Sequence, residues 1–482
     1  MQHFDMIVIG SGPAGQSAAV QATKLCKKVA IVEKGNSVGG ACLHTGTIPS
    51  KTLRAAVLYL TGYNLRGLYG KSYRLKHDLT VQDLMQRLNR TVDHEMEIMR
   101  NQLYRSGVQL INGEAHFEQE NTLSVTDAQG NQQRYTAEKF VIATGTVPFR
   151  PDNVTFDGDF ILDSDHIAQL KRLPRHLVVV GAGVIGIEYA SMFSAMDIKV
   201  TLVDGREQLL DFLDHEIIEE YMYYLRSRNV SIRLGEKVVG VEKVGPQQLI
   251  TTLESGKVIY GDMVLFASGR TGSTHSLNLE NVGFSADDKG RLQVNDHYQT
   301  QQPHIYAAGD VIGFPSLAST SMEQGRQAAA HAFGQQLPSH AKNFPFAIYG
   351  IPEISMVGLT EKELTSQKIP FTVGIARFSE TARGQIKGIT EGFLKMLVNQ
   401  ESGEILGVHI LGEESSELIH IGQAVMVHKG NINYFLENIF NYPTLGEVYK
   451  MAALDALTQL QAGQIKCYPT VAPEAHDIEE TE

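Results

Sequence analysis

The sequence predicts an α/β protein: two parallel-sheet βαβ units of the Rossmann type, followed by a C-terminal α+β domain. Three observations carry that prediction. The segment MIVIGSGPAGQSAAVQATKLCKKVAIVEK, near the N-terminus, shares one pattern with LVVVGAGVIGIEYASMFSAMDIKVTLVDG, about 171 residues further on. Each is an apolar run, a glycine turn, a helix-like run and a second apolar run ending in an acid. That is the order of a strand, a crossover helix and a parallel strand. After residue 345 the pattern changes, and alternating strand-like runs mix with helical ones to about residue 465.

In the first unit, Gly10 permits a tight turn and Gly12 lets backbone approach a pyrophosphate. Gly15 allows close helix–strand packing, the helix N-terminus faces the phosphates, and Glu33 accepts from ribose hydroxyls. The second unit repeats the set as Gly181, Gly183, Gly186 and Asp204. A glycine turn needed only for packing requires no acid at the end of the next strand. Two such units imply two dinucleotides, and electron exchange between them is the economical reason to hold both.

Residues 80–105 place apolar residues at helical spacing among charges, with Met85, Met96 and Met99 as packing residues rather than a cofactor box. FVIATG (140–145), VLFASGR (264–270, with Gly269 in the turn) and IYAAGD (305–310) read as strands running into turns. The expected division is 1–150 and 272–344 for the first dinucleotide domain and 151–271 for the second. The C-terminal domain takes 345–465, and 466–482 form an acidic tail.

The 482 residues are too many for one compact domain, and 43% hydrophobic content supports sizeable cores. A net charge of −12 argues against nucleic acid as a partner. Of the three cysteines, Cys26, Cys42 and Cys467, none stands in a CxxC spacing, which argues against zinc and a disulfide framework and suits a reducing compartment. The N-terminus enters the run Met6–Ile9 without leader character, and no apolar run reaches the roughly 18 residues of a membrane span. A cytoplasmic location is expected. The histidines show no metal-ligand spacing, and His44 reads as a polar loop residue, so no metal is expected.

The run VGGACLHTGTIPSK (38–51), the triplet Ala143-Thr144-Gly145, and Tyr306 to Asp310 together resemble the FAD-dependent pyridine nucleotide–disulfide oxidoreductases. The resemblance extends over nearly the whole chain to about residue 465. It is the resemblance, not spacing, that assigns FAD to the first unit and NAD(P) to the second. It implies an FAD domain, an inserted NAD(P) domain and a C-terminal dimerisation domain. It further implies Glu33 on the adenosine ribose, and Gly39, Gly40 and Cys42 along the cofactor. Thr144 and Gly145 belong to the same flavin site, Asp310 bonds the ribityl chain, and the backbone of Ala318 meets the flavin ring. Gly269 is counted with the nucleotide-binding residues. Lys51, after Pro49 and Ser50, is expected to open a helix. The resemblance puts it by the flavin N5, paired with Glu188. A cation there favours the anionic reduced flavin, and pairing limits the cost of burying the charge. These two are the expected catalytic residues, and the alternative is a solvated lysine at a helix start.

The departures carry more information. The disulfide reductases of that family have two cysteines spaced C-x4-C, but here Thr47 follows Cys42 at that spacing. The family's proton-shuttling His-Pro pair reads Tyr442-Pro443, although Glu447 remains. Both parts of the thiol half-reaction are therefore missing together. Cys42 is left to pack against the isoalloxazine or to take a minor redox part. Tyr442 and Glu447 either hydrogen-bond at the partner subunit's flavin or keep a turn whose Pro443 is a candidate cis residue. Val184 stands where some members carry an aromatic lid on the nicotinamide, and leaves that pocket more open.

Reduced flavin must then pass its electrons to a second pyridine nucleotide, to a quinone or dye, or to oxygen. CLHTGTIPSK, GAGVIG and FNYPT resemble the branch of the family that moves hydride from NADPH to NAD through FAD and assembles into homo-oligomers. The rivals are a diaphorase or oxidase and a flavin-bearing redox sensor. A passive sensor has no need of Lys51 and Glu188. The loop Asp204-Gly205-Arg206 is expected to let one site take NADH and NADPH: Asp204 bonds a 2′-hydroxyl, and Arg206 offers a fork to a 2′-phosphate.

Overall fold

The computed structural model describes residues 1–70, 72–338, 344–389 and 391–462. Cys467 and the expected acidic tail at 466–482 lie outside them. The chain clusters into two compact units, Met1–Ile354 and Ser355–Glu482.

In the first unit, Gln2–Ile9 is the central strand of a seven-stranded sheet. It pairs in parallel with Val29–Glu33 on one side (Ile9 opposite Val32) and Gln132–Ile142 on the other (Ile7 opposite Phe140). Such a strand is covered on both faces, so it reads as a continuous apolar run rather than an alternating one. Met6, Ile7 and Val8 are all fully buried. The strand Ile305–Ala307 also pairs in parallel with Gln132–Ile142. This brings the IYAAGD segment beside the ATG turn. The crossover helix Pro13–Lys24 starts with Pro at its first turn and buries Ala14, Ala18, Ala19 and Ala22. Those small residues let the helix Ala318–Ala332 approach closely: a Cβ on Gly325 would lie 2.0 Å from the Ala14 carbonyl oxygen.

The second βαβ motif builds a five-stranded parallel sheet in the order Val230–Arg233, Lys199–Val203, His176–Val180, Met263–Phe266, Ile161–Asp163. Its helix, Val184–Ala195, is buried along nearly its whole length from Gly186 onward. A three-stranded antiparallel sheet, Val238–Gly245 to Val258–Gly261, flanks it. The charged helix expected at 80–105 is Val81–Arg105, started by a capping box between Thr80 and Asp83. Met99 packs against the core beside the first helix.

In the second unit the antiparallel strands Phe371–Arg377, Phe393–Asn399 and Ile405–Leu411 carry the helices Ser415–Val427 and Glu447–Ala462. Leu394, Met396, Val398, Val408 and Ile410 alternate onto the helical face. Gly374 admits the last helix, since a Cβ there would sit 2.0 Å from the Ala452 carbonyl oxygen.

Candidate nucleotide-binding and redox site

The two glycine turns have the same geometry. Gly10 adopts φ +103° and Gly181 φ +104°, a region that favours glycine. A Cβ on Gly10 would lie 2.4 Å from the carbonyl oxygen of Ala143, and one on Gly181 would lie 2.5 Å from that of Ala267. Each turn therefore nests against a neighbouring strand end, the first carrying Thr144 and Gly145 and the second Gly269. Gly15 and Gly186 press their helices onto the turns: a Cβ would meet the Gly10 oxygen at 2.0 Å and the Gly181 oxygen at 1.8 Å. The middle glycines differ from these. A Cβ on Gly12 would meet nothing within 4 Å, and one on Gly183 only the Arg206 Nη2, at 3.9 Å. Both helix N-termini, capped by Gly12 and Gly183 without side-chain bonds, so open onto free space. Their unsatisfied N–H groups suit a pyrophosphate.

The acid at each strand end is locked by backbone. Glu33 accepts from the Ser11 N–H (2.9 Å), the Ser11 hydroxyl (2.6 Å) and the Gly35 N–H (2.8 Å). Asp204 accepts from the equivalent N–H groups of Ala182 (2.6 Å) and Arg206 (2.8 Å). The second site adds a cation. Arg206 forks onto Asp204, with Nε–Oδ1 at 3.0 Å and Nη2–Oδ2 at 2.8 Å. Burial pushes the Asp204 carboxyl up, but the Arg206 side chain and the N–H donors outweigh it and hold it below the usual carboxylate range. The arginine fork is thus engaged by the aspartate while its side chain stays half exposed.

Around the first turn, Gly39 and Gly40 take positive φ, and the Gly39 N–H donates to the Ser11 hydroxyl at 3.1 Å. A Cβ on Gly40 would lie 3.0 Å from Gly12 Cα. The GG segment is in this way folded over the glycine turn. Thr144 Oγ1 is buried without a hydrogen-bond partner among the described residues, a polar atom that a bound ligand would satisfy. Gly309, at φ +83°, donates its N–H to Gln324 Oε1 (2.9 Å) and presents Asp310. Burial pushes the Asp310 carboxyl up, and Arg270 only partly offsets it. Ala318 begins its helix after Leu317. The open pyrophosphate position, the orphan hydroxyl and the desolvated acid together fit a bound dinucleotide such as FAD.

Lys51 does not open its helix. That helix is Thr47–Thr61, starting four residues earlier with Pro49 in its first turn, where the ring costs no hydrogen bond. Lys51 Nζ donates to Glu188 Oε2 (2.7 Å), Glu188 Oε1 (2.9 Å) and the Ser50 hydroxyl (3.2 Å), and lies 4.7 Å from the Tyr349 ring centroid. The Tyr349 N–H donates to Glu188 Oε1 at 2.8 Å. Glu188 is buried, whereas the lysine side chain is 28% exposed, so the pair presents its cationic end to the surface of the site. Cys42 lies in the short helix Gly40–His44. Burial pushes its thiol up, and the hydrogen bond with Thr47 only partly offsets this. A neutral thiol is a poor nucleophile. His44 Nε2 lies 2.9 Å from the Val38 carbonyl oxygen, and among the described residues no cluster of His, Cys, Asp or Glu could hold a metal.

In the second unit, the Tyr442–Pro443 peptide is cis and Tyr442 is exposed. Glu447 opens the last helix with Oε2 buried and unpartnered among the described residues. Ser11, Ser50, Tyr349, Arg270 and Gln324 join the site without a part expected from the sequence. Ser11 was open to inspection within GSG. Ser50 is the immediate neighbour of Lys51, whereas Tyr349, Arg270 and Gln324 reach the site only through long-range packing.

Residues 4–325 match the model of the pyridine nucleotide-disulphide oxidoreductases, and residues 344–453 match that family's dimerisation domain. A soluble pyridine nucleotide transhydrogenase of Mycobacterium tuberculosis is 51% identical over 96% of this chain and 99% of its own length. A protein of the same name from Aliivibrio fischeri is 46% identical over 95% and 98%. Among solved structures, LpdA of Mycobacterium tuberculosis superposes with TM-score 0.86 at 25% identity, covering 94% of this chain and 99% of that one. An HOCl-induced flavoprotein disulfide reductase of Escherichia coli gives 0.84 at 27%, covering 93% and 99%. No helix among the described residues is long and apolar enough to cross a membrane. With two family models spanning most of its length and relatives this similar, the chain belongs to the pyridine nucleotide-disulphide oxidoreductase family.

Proposed function

We propose that this chain is an FAD-dependent NAD(P)+ transhydrogenase, carrying hydride from NADPH to NAD+ by a ping-pong route, and that it works in the cytoplasm as a homo-oligomer. One observation carries the reading: the Lys51–Glu188 pair lies near Cys42, a thiol kept neutral by burial whose side-chain partner is Thr47 rather than a second cysteine. The electron-transfer support is present and the second sulfur of a thiol relay is not. The names of the relatives and the dimerisation-domain match support the same reading.

Bound FAD supplies the two-electron store that takes hydride from one nucleotide and returns it to the other. The chain's own residues bind and orient. The first turn, with Gly10, Gly12, Gly15, Gly39, Gly40, Cys42, Thr144, Gly145, Asp310 and Ala318, holds the flavin nucleotide, and Glu33 accepts from its ribose. Gly181, Gly183, Gly186 and Gly269 hold the nicotinamide nucleotide. Lys51 offers a fixed cation where negative charge develops, and Glu188, itself anchored by Tyr349, sets its direction. No group need carry a proton between redox centres, which agrees with Tyr442 standing where the family has histidine.

Purified protein offered lipoamide, glutathione disulfide or mercuric ion with either nucleotide is expected to show no sustained turnover, while NADPH reduces thio-NAD+ anaerobically. Robust turnover on a disulfide would overturn the reading. The Asp204–Arg206 pair makes a second prediction. Because the arginine is already clamped by the acid, Asp204→Asn is expected to free the guanidinium and lower the KM for NADPH relative to NADH. Arg206→Ala is expected to raise the KM for NADPH about tenfold more than that for NADH, the size of one charge-assisted contact. Equal effects on the two nucleotides would remove this loop as the discriminator.

A further inference from the structure

We propose that Lys237 is a specificity-determining residue: its ammonium supplies the second positive charge that the adenosine 2′-phosphate of NADP(H) needs beside Asp204. The inference rests on the transhydrogenase reading and adds a residue to its nucleotide site. The difficulty it resolves is electrostatic. A 2′-phosphate carries nearly two negative charges and must approach an aspartate. Arg206, two residues on, is already engaged by that aspartate through two hydrogen bonds. The pair together is close to neutral, so Arg206 alone attracts a dianion weakly.

Lys237 is brought to this point by backbone. Beyond the paired strands Lys199–Val203 and Val230–Arg233, the two chain ends remain stitched together. The Asp204 N–H donates to the Arg233 carbonyl (2.9 Å), the Glu236 N–H to the Asp204 carbonyl (3.0 Å), and the Gly235 N–H to the Arg206 carbonyl (2.9 Å). The loop at 234–237 is in this way fixed against the loop at 204–206. The stem of Lys237 lies along Gly205, the residue between the acid and the arginine. A Cβ on Gly205 would meet Lys237 Cγ at 2.9 Å, Cε at 3.6 Å and Cδ at 3.8 Å. Gly205 thus leaves the room that the lysine stem occupies.

The charge of this lysine is also left free. Its neighbour Glu236, the natural counter-ion, is claimed by Lys257 Nζ (2.7 Å) and the Ser255 hydroxyl (3.1 Å). Among the described residues the Lys237 ammonium makes no hydrogen bond or ion pair. The first, flavin-type site gives an internal contrast. There Gly35 takes the place of Arg206, and Glu33 is bonded to N–H groups and a hydroxyl with no cation on it. A cation bonded to the strand-end acid is thus seen in the second unit, through Arg206, where the first unit has glycine.

The test is equilibrium binding to the FAD-loaded protein, using adenosine 2′,5′-bisphosphate and 5′-AMP as probes, by calorimetry at several salt concentrations. Lys237→Ala is expected to weaken the bisphosphate about tenfold more than AMP, as for one lost charge-assisted contact. It should also flatten the salt dependence of bisphosphate binding. Lys237→Arg should restore both. Arg233→Ala, removing a nearby exposed cation, should change the ratio much less. If Lys237→Ala leaves the ratio unchanged while the wild type still prefers the bisphosphate, the lysine assignment falls and the transhydrogenase reading stands. If Arg233→Ala acts equally, a diffuse field replaces the specific contact, and the assignment falls again. A wild type that binds AMP but not the bisphosphate overturns both.

Discussion

Lys51→Met is expected to slow flavin reduction by NADPH by about 10², with FAD content unchanged. That is the size typical of removing one electrostatic contact with a developing charge. The substitution keeps the length and apolar stem of the side chain. It removes the ammonium and also strands Glu188, which is buried and would keep only the Tyr349 N–H as a donor from this group of contacts. Breaking such a pair by removing one partner costs stability, on the order of 3–5 kcal/mol. Lys51→Met combined with Glu188→Gln separates the two effects. The double variant should recover stability without recovering rate. Stopped-flow absorbance of the flavin and a thermal melt read them independently. A single variant with wild-type reduction rates and full flavin would contradict the role given to the lysine.

The second large effect is expected at the third glycines. Gly186→Val should abolish binding of both NADH and NADPH, raising Kd at least about 10², while FAD stays bound. Gly15→Val should do the reverse and yield flavin-depleted protein. The reason is steric. A Cβ at either position falls within 2.0 Å of a turn carbonyl oxygen, so the helix must move off the turn that it presents to phosphate. Flavin content from the visible spectrum and nucleotide affinity from fluorescence titration give the two readouts. Loss of FAD from Gly186→Val with retention from Gly15→Val would exchange the assignments of the two sites.

The twin turns were legible because their constraints are local. Positive φ at Gly10 and Gly181 and the close approaches at Gly15 and Gly186 exclude other side chains. Strands buried on both faces, such as Met6 to Ile9, show as unbroken apolar runs. The likeness of VGGACLHTGTIPSK to a known flavin segment carried the pairing of Lys51 with Glu188, which stand 137 residues apart and have no local pattern in common. Other features were not legible. The helix expected to open at Lys51 starts at Thr47 instead, because a proline in a first turn, like Pro49, costs no hydrogen bond. The direction of the Arg206 fork depends on Asp204 being fixed by the Ala182 N–H, a contact across 22 residues. Lys237 is delivered by strand pairing that continues past the strand ends. The usable sequence signal is a lysine just beyond the neighbouring parallel strand, and it carries meaning only once that pairing is known. Tyr349 likewise acts through its backbone N–H, which no residue type announces.

In the proposed reaction one nicotinamide nucleotide passes electrons to another through the flavin, with no sulfur relay. Anaerobic stopped flow on the pre-reduced protein tests this. The FAD-loaded protein is first reduced with one equivalent of NADPH, and the released NADP+ is removed by rapid desalting. The reduced protein is then mixed with NAD+. Full return of the oxidised flavin spectrum is expected, with one NADH formed per flavin and an unchanged result after Cys42→Ser. Flavin that stays reduced in NAD+ and reoxidises only when quinone or oxygen is admitted would contradict it.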